Sequence, residues 1–353
     1  MMETPSLVDQ YCHGVLRTEL GLGTFEAHLG RTGGPPAPGT TFFDTRTGFA
    51  VRRWCPPLLG LEPHCPPARY LARRRELGVM EAGRRLLTGS GVSTYLVDTG
   101  LPDDLTGPAE LAAAGAASAR EIVRVELLAQ HVADTSGTVD ALLANLAEAV
   151  HDTAASDTVA FSSVTGVRTG LALTPDPPGP GEVRGAAGRW LARRQAGGAL
   201  DDPVLLRHLL WSAVASGLPL QLHARGGDPA PLADFAAATA GLGTDLVLLG
   251  THPHHRAAAE LAGVHSHVYA DVGPSTAAEL ARMLDVAPFG KLLFSSGARA
   301  LPELHVIGVR GFHEALWRVL DGWSVDGVCS RGDAERVARM LAAENARRVY
   351  GLE

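Results

Sequence analysis

Eight short β-rich runs, most of them separated by helix-length stretches, constrain this chain more than any other feature. The runs are SLVDQYC (6–12), STYLVDT (93–99), EIVRVEL (121–127), TVAFSSV (158–164), PLQLHA (219–224), DLVLLG (245–250), HVYADVG (267–273) and KLLFSS (291–296). Strands that alternate with helices pair in parallel. Eight of them in 353 residues predict an α/β fold, a (β/α)8 TIM barrel forming a single domain over residues 1–353. A doubly wound open sheet is the competing arrangement. The intervening helices show the expected patterning. In TVDALLANLAEAVHD (138–152), Val139, Leu142, Leu143, Leu146 and Val150 fall on one stripe. DDPVLLRHLLWSAVASG (201–217) opens on an Asp cap, carries Pro203 in its first turn and stops at Gly217.

Two stretches depart from the alternation. Residues 15–90 separate strand one from strand two, far more than a crossover helix needs. They contain the Pro/Gly-rich RTGGPPAPGTT (31–41) and the helical PPARYLARRRELGVMEAGRRLL (66–87). They are expected to be a mostly helical insertion capping the C-terminal mouth of the barrel, where loops build sites. The second departure is LTPDPPGPGE (173–182), a Pro/Gly-rich loop leading into a helix.

Charge and composition narrow the function classes. The formal net charge of −7 argues against a nucleic-acid or acidic-membrane partner. Arginine clusters such as Arg73–Arg75 and Arg193–Arg194 lie in helix-like stretches and read as solvated faces. Cys12, Cys55, Cys65 and Cys329 have no C-x-x-C spacing, so neither a zinc knuckle nor a redox motif is indicated. No secretory leader pattern precedes the first strand, and no apolar run reaches the ~20 residues of a membrane span. A cytoplasmic setting is expected. Lys291 is the single lysine amid abundant Arg, Ala, Gly and Pro, which suggests a GC-rich, bacterial genome.

The chemistry-bearing motif is SLVDQYCHG (6–14). On an extended strand Asp9, Tyr11 and His13 point to one face and Cys12 to the other. A His at position 11 would complete an Asp-x-His-x-His metal hook.

VDQYCHG (8–14) is followed, in order, by LVDTG (96–100), VAFSSVTGVRTGL (159–171), LPLQLHARGGD (218–228), HPHHRAAAELA (252–262), VYADVG (268–273), APFGKLLFSSGARALPELH (287–305) and ENARRVYGL (344–352). In this ordered set the chain resembles the amidohydrolase-related group of the metal-dependent hydrolase superfamily. Within it, the likeness is to the branch found beside or fused to glutamine synthetase-like proteins. The resemblance implies a barrel holding one divalent metal, usually zinc, with activities such as amide hydrolysis or decarboxylation. It implies ligands from a strand-one His-x-His, from His residues ending strands five and six, and from a strand-eight Asp that is also the general base. Some members add a strand-four Lys or Glu.

Carried over residue by residue, the first of these is Tyr11 and the second is His13. The strand-four position is Ser162, the strand-five His is His223, the strand-six position is Gly250 and the strand-eight Asp is Gly297. Of the five principal ligand positions, only His13 and His223 keep a ligand. A zinc site takes three or four protein ligands at ~2 Å. A tyrosine phenol, with a reference pKa of ~10, is a poor substitute. Without the carboxylate at 297 nothing evident takes a proton from a metal-bound water.

Three readings stay open. One is a hydrolytically impaired pseudoenzyme that binds a small molecule or a partner at the mouth. The second is an active amidohydrolase with a single zinc rebuilt on His13, His223 and His252. The third is a metal-free lyase or decarboxylase using Tyr11 and His223 as acid and base. Arg168, Arg299 and Asp9 are candidate substrate-binding residues; Arg168 could take a carboxylate bidentately or pair with Glu126 or Asp98. By family analogy the ligand is a γ-glutamyl or other nitrogen compound, with a glutamine synthetase-like protein as a possible associate. A homodimer is expected. No G-x-S-x-G elbow or P-loop is present.

Overall fold

The structure, a computed structural model, describes residues 7–30, 34–101, 104–194 and 198–353. Residues 31–33 of the Pro/Gly-rich run fall outside them. The strands are β1 (Leu7–Cys12), β2 (Val92–Asp98), β3 (Ser118–Arg124), β4 (Thr158–Ser163), β5 (Leu220–His223), β6 (Leu246–Leu249), β7 (Val268–Asp271) and β8 (Leu292–Leu293). They form one eight-stranded sheet in chain order with helices between, a (β/α)8 TIM barrel of the α/β class. The inner strands are short apolar runs, such as the wholly buried Leu-Val-Leu-Leu of β6. Parallel strands covered on both faces take this composition. By its contacts the chain divides into two units.

The first unit holds residues to Arg120 together with 273–281 and 294–344. Here β1 pairs in parallel with β2, and the register slips between Asp9 and Cys12. The backbone beyond β8 runs alongside β1 and bonds to it. Gln10 N–H donates to Phe294 O at 3.1 Å, Gly297 N–H to Tyr11 O at 3.1 Å and His13 N–H to Ala298 O at 2.8 Å. The run 291–296 therefore gives a two-residue β8 and an irregular ladder, because the pairing continues through glycine and positive-φ residues. The long segment after β1 is mostly helical, as expected, with helices Leu22–Leu29, Arg46–Leu58 and Pro67–Ser90. The last two pack against the helix Pro302–Val325. Their shared core includes Phe25, Phe43, Val51, Tyr70, Leu86 and Val306, with the Phe25 and Phe43 rings stacked at 5.7 Å. Each such side chain fully buried contributes about 1.5–3 kcal/mol.

The second unit holds residues 121–272, 282–293 and 345–353. It carries the strand pairings from β3 to β8. EIVRVEL is a strand only to Arg124; the helix Val125–Thr135 starts at once, with no turn residue between. The helix Pro203–Ala215 begins as read, with the Asp202 carboxylate accepting from Val204 N–H. Of the 138–152 stripe, Leu142, Leu146 and Val150 are buried on the helix Val139–Ala155. The C-terminal ENARRVYGL run has a structural role. Buried Asn345 donates to the carbonyls of Phe289 and Leu292, both at 2.8 Å, and buried Gln221 of β5 donates to the Tyr350 hydroxyl at 2.8 Å.

Candidate functional site

Strand β1 ends in the residues that carried the metal motif. His13 is 5% exposed, and its Nδ1 lies 2.6 Å from the Asp98 carbonyl at the end of β2. A carbonyl only accepts, so Nδ1 carries the proton. In the neutral ring Nε2 is then the unprotonated nitrogen and accepts from the Tyr11 hydroxyl, 2.9 Å away. The two rings meet edge-on at 5.1 Å. A metal-ligating His has its tautomer fixed by a carbonyl or carboxylate in this way. In this chain the lone pair that would face a metal is met by the Tyr11 O–H.

The register slip inserts an extra residue between Asp9 and Cys12, and such a bulge breaks the period-two alternation. Asp9 therefore lies with Cys12, whose side chain was expected on the opposite face. Asp9 is fully buried; its carboxylate accepts from Ser296 N–H at 2.8 Å and from the Ser296 hydroxyl at 2.5 Å. These bonds tie β1 to the extension of β8. Gly297, at the strand-eight Asp position, is exposed at φ +58 with open space where a Cβ would be. Glycine adopts that left-handed backbone without strain, and Asp tolerates it better than most residues. Arg299, two residues on, is exposed.

In the second unit His223 ends β5, partly buried. Ser162 is fully buried on β4, in register with Arg124 and Gln221. Gly250 follows β6 at φ +63. His252 does not continue the parity of Gly250, because β6 ends at Leu249 and residues 251–254 form a turn. It is exposed, and its ring lies 5.3 Å from that of His255, which is buried at the start of the helix His255–Val264. Arg168 donates to the Leu200 carbonyl. Glu126, considered as its partner, is instead held by hydroxyl and amide donors. One oxygen accepts from Ser163 Oγ at 2.6 Å, Val164 N–H at 2.9 Å and Thr165 Oγ1 at 3.1 Å. Thr165 also lines a cavity of about 200 Å³ with Thr169, Thr174 and Arg207.

At the ligand positions that the sequence resemblance implies, the residues present offer few donors to a metal. His13 Nε2 already receives a hydrogen bond, and positions 250 and 297 have no side chain. Sequence reading missed the pairing of Asp9 with Ser296 and the proximity of His305, because a bulge leaves no signature in the residue pattern.

The comparisons agree with this architecture. No family model matches the chain. Protein fluG of Emericella nidulans is 30% identical over 152 residues, which cover 38% of this chain; the chain spans only 17% of that protein's length. A proposed metal-dependent hydrolase from Lactobacillus casei superposes with a TM-score of 0.82 at 20% identity, covering 98% of this chain and 95% of that one. Glucuronate isomerase of Caulobacter crescentus superposes with a TM-score of 0.66 at 13% identity over 99% of this chain and 92% of its own. A uronate isomerase from Bacillus halodurans gives 0.63 at 12% identity over 99% and 94%. At these identities the likeness establishes the barrel fold. No helix among the described residues is long and apolar enough to cross a membrane.

Proposed function

We propose that this chain is a barrel of the metal-dependent hydrolase superfamily that has given up hydrolytic metal chemistry and uses its C-terminal strand ends to bind a small molecule. The observation that carries the reading is the Tyr11 hydroxyl on His13 Nε2 at 2.9 Å. Replacing the first histidine of the pair removes one ligand and caps the other. The glycines at 250 and 297 add to it, since neither offers a donor and the second takes away the proton acceptor. The similarity to the Lactobacillus casei protein and to protein fluG supports the superfamily assignment. The ligand class suggested by the resemblance of the ordered motifs, and not by these comparisons, is a γ-glutamyl or other nitrogen compound, with exposed Arg299 available to a carboxylate.

The test is a hydrolysis panel of amides and γ-glutamyl amides with zinc or manganese added, run beside a thermal-shift screen of the same compounds. The reading expects stabilisation by a member of the panel, weakened in Arg299→Ala, and no metal-stimulated turnover. Metal-stimulated hydrolysis that disappears in both His13→Ala and His252→Ala would establish the rebuilt-zinc alternative instead.

A further inference from the structure

The bulge in β1 brings together Asp9, Cys12 and, from the helix Pro302–Val325, His305. All three are 0% exposed. One ligating atom from each lies within 4.8 Å of the others. Neither ring nitrogen of His305 has a hydrogen-bond partner among the described residues. Its Nδ1 points at the Asp9 carboxylate from 3.8 Å, beyond hydrogen-bond reach. A buried imidazole without a partner calls for an explanation, and an ion is one of the few available. The spacing suits that explanation. Two ligands ~2.0–2.1 Å from one tetrahedral zinc lie about 3.3 Å apart, and a thiolate at ~2.3 Å lies about 3.6 Å from either. Asp9 is oriented from behind by Ser296 N–H and Oγ, the kind of outer-shell bond that fixes a ligating carboxylate. Cys12 Sγ has only a weak 3.5 Å contact to the Leu96 carbonyl to give up.

We propose that Asp9, Cys12 and His305 form a buried zinc site that pins β1 to the helix Pro302–Val325. Nitrogen, oxygen and sulfur donors together suit zinc better than magnesium or calcium, which take oxygen ligands. The site shares no ligand with His13 or His223, so it stands or falls independently of the reading of the strand ends. Because the donors are fully buried, the ion enters as the chain folds.

The experiment produces the full chain in zinc- or cobalt-supplemented medium and measures metal per chain by elemental mass spectrometry. One zinc per chain is expected in the wild type and in His13→Ala, falling at least tenfold in Cys12→Ser and His305→Gln. The cobalt-loaded wild type should show a thiolate-to-metal charge-transfer band, a readout that needs no variant to fold. A metal-free wild type, zinc unchanged in Cys12→Ser, or cobalt without that band overturns the proposal. Zinc lost in His13→Ala but retained in Cys12→Ser would overturn both this site and the proposed function.

Discussion

Arg74 and Glu303 form a buried pair whose removal should be costly in one direction and cheap in another. Arg74, on the helix Pro67–Ser90, is 2% exposed, and Glu303 is 0% exposed. Arg74 Nε donates to Glu303 Oε1 at 2.9 Å, and the Tyr70 hydroxyl donates to the same oxygen at 2.8 Å. The other carboxylate oxygen has no hydrogen-bond partner among the described residues. Arg74→Met keeps most of the side-chain volume over the Phe25 ring, which the guanidinium carbon overlies at 5.7 Å. It leaves Glu303 as a buried charge held by Tyr70 alone. Breaking one side of such a pair costs about 3–5 kcal/mol. Arg74→Met combined with Glu303→Leu removes both buried charges; it leaves the buried Tyr70 hydroxyl unsatisfied, at about 1–3 kcal/mol, and part-exposed Glu19, which Arg74 Nη1 meets at 3.5 Å, to the solvent. The double variant should thus be more stable than either single one. Urea unfolding followed by tryptophan fluorescence measures all three, with Trp54 reporting from the same helical layer. A loss under about 1 kcal/mol in Arg74→Met, or additive losses in the double variant, would refute the reasoning.

Further outcomes follow from single groups. Burial, with the nearby Arg310 charge second, pulls the His313 pKa from 6.5 to about 4. The folded chain holds His313 neutral while the unfolded chain takes up a proton, so stability falls as pH drops from about 6.5 to about 4, by at most about 3 kcal/mol. Unfolding free energies at pH 7 and pH 4.5 should differ less in His313→Gln; an unchanged pH slope would contradict this. Burial lowers the pKa of Lys291 from 10.5 to about 8, aided by Arg348 and opposed by Asp245. Acylation of this single side-chain amine should therefore show a midpoint near pH 8, and a midpoint near 10 would exclude it. Tyr11→Phe removes the donor to His13 Nε2 at a cost of about 0.5–1.5 kcal/mol. It should also speed modification of His13 by diethyl pyrocarbonate, read by peptide mass mapping; an unchanged rate would mean that the phenol does not shield the ring.

The barrel was legible because its strands are short apolar runs with helical stripes between them. The ends of elements were less so. Val125 continues an apolar run but begins a helix, and β8 dissolves into a glycine-containing ladder held by backbone bonds that side-chain patterns do not encode. At the site, Tyr11, Gly250 and Gly297 stand where the ordered motifs led to an expectation of metal ligands. The bond from Tyr11 to His13 was not legible, since residues two apart on a strand need not meet. Asp9 was misplaced for a related reason. Period-two reasoning assumes an unbroken strand, and one inserted residue between Asp9 and Cys12 brought Asp9 together with Cys12 and His305. Of the partners open to Arg168, the ion pair with Glu126 is not formed, since Arg168 donates to the Leu200 carbonyl.

In the proposed reading the Tyr11 hydroxyl, rather than a metal, meets the Nε2 lone pair of His13. The side-chain ¹⁵N spectrum of His13, assigned with His13→Gln and recorded before and after one equivalent of zinc, tests it most directly. A neutral ring protonated at Nδ1 is expected, with an Nε2 resonance that zinc leaves in place. An Nε2 signal that zinc moves to a metal-bound position would contradict it.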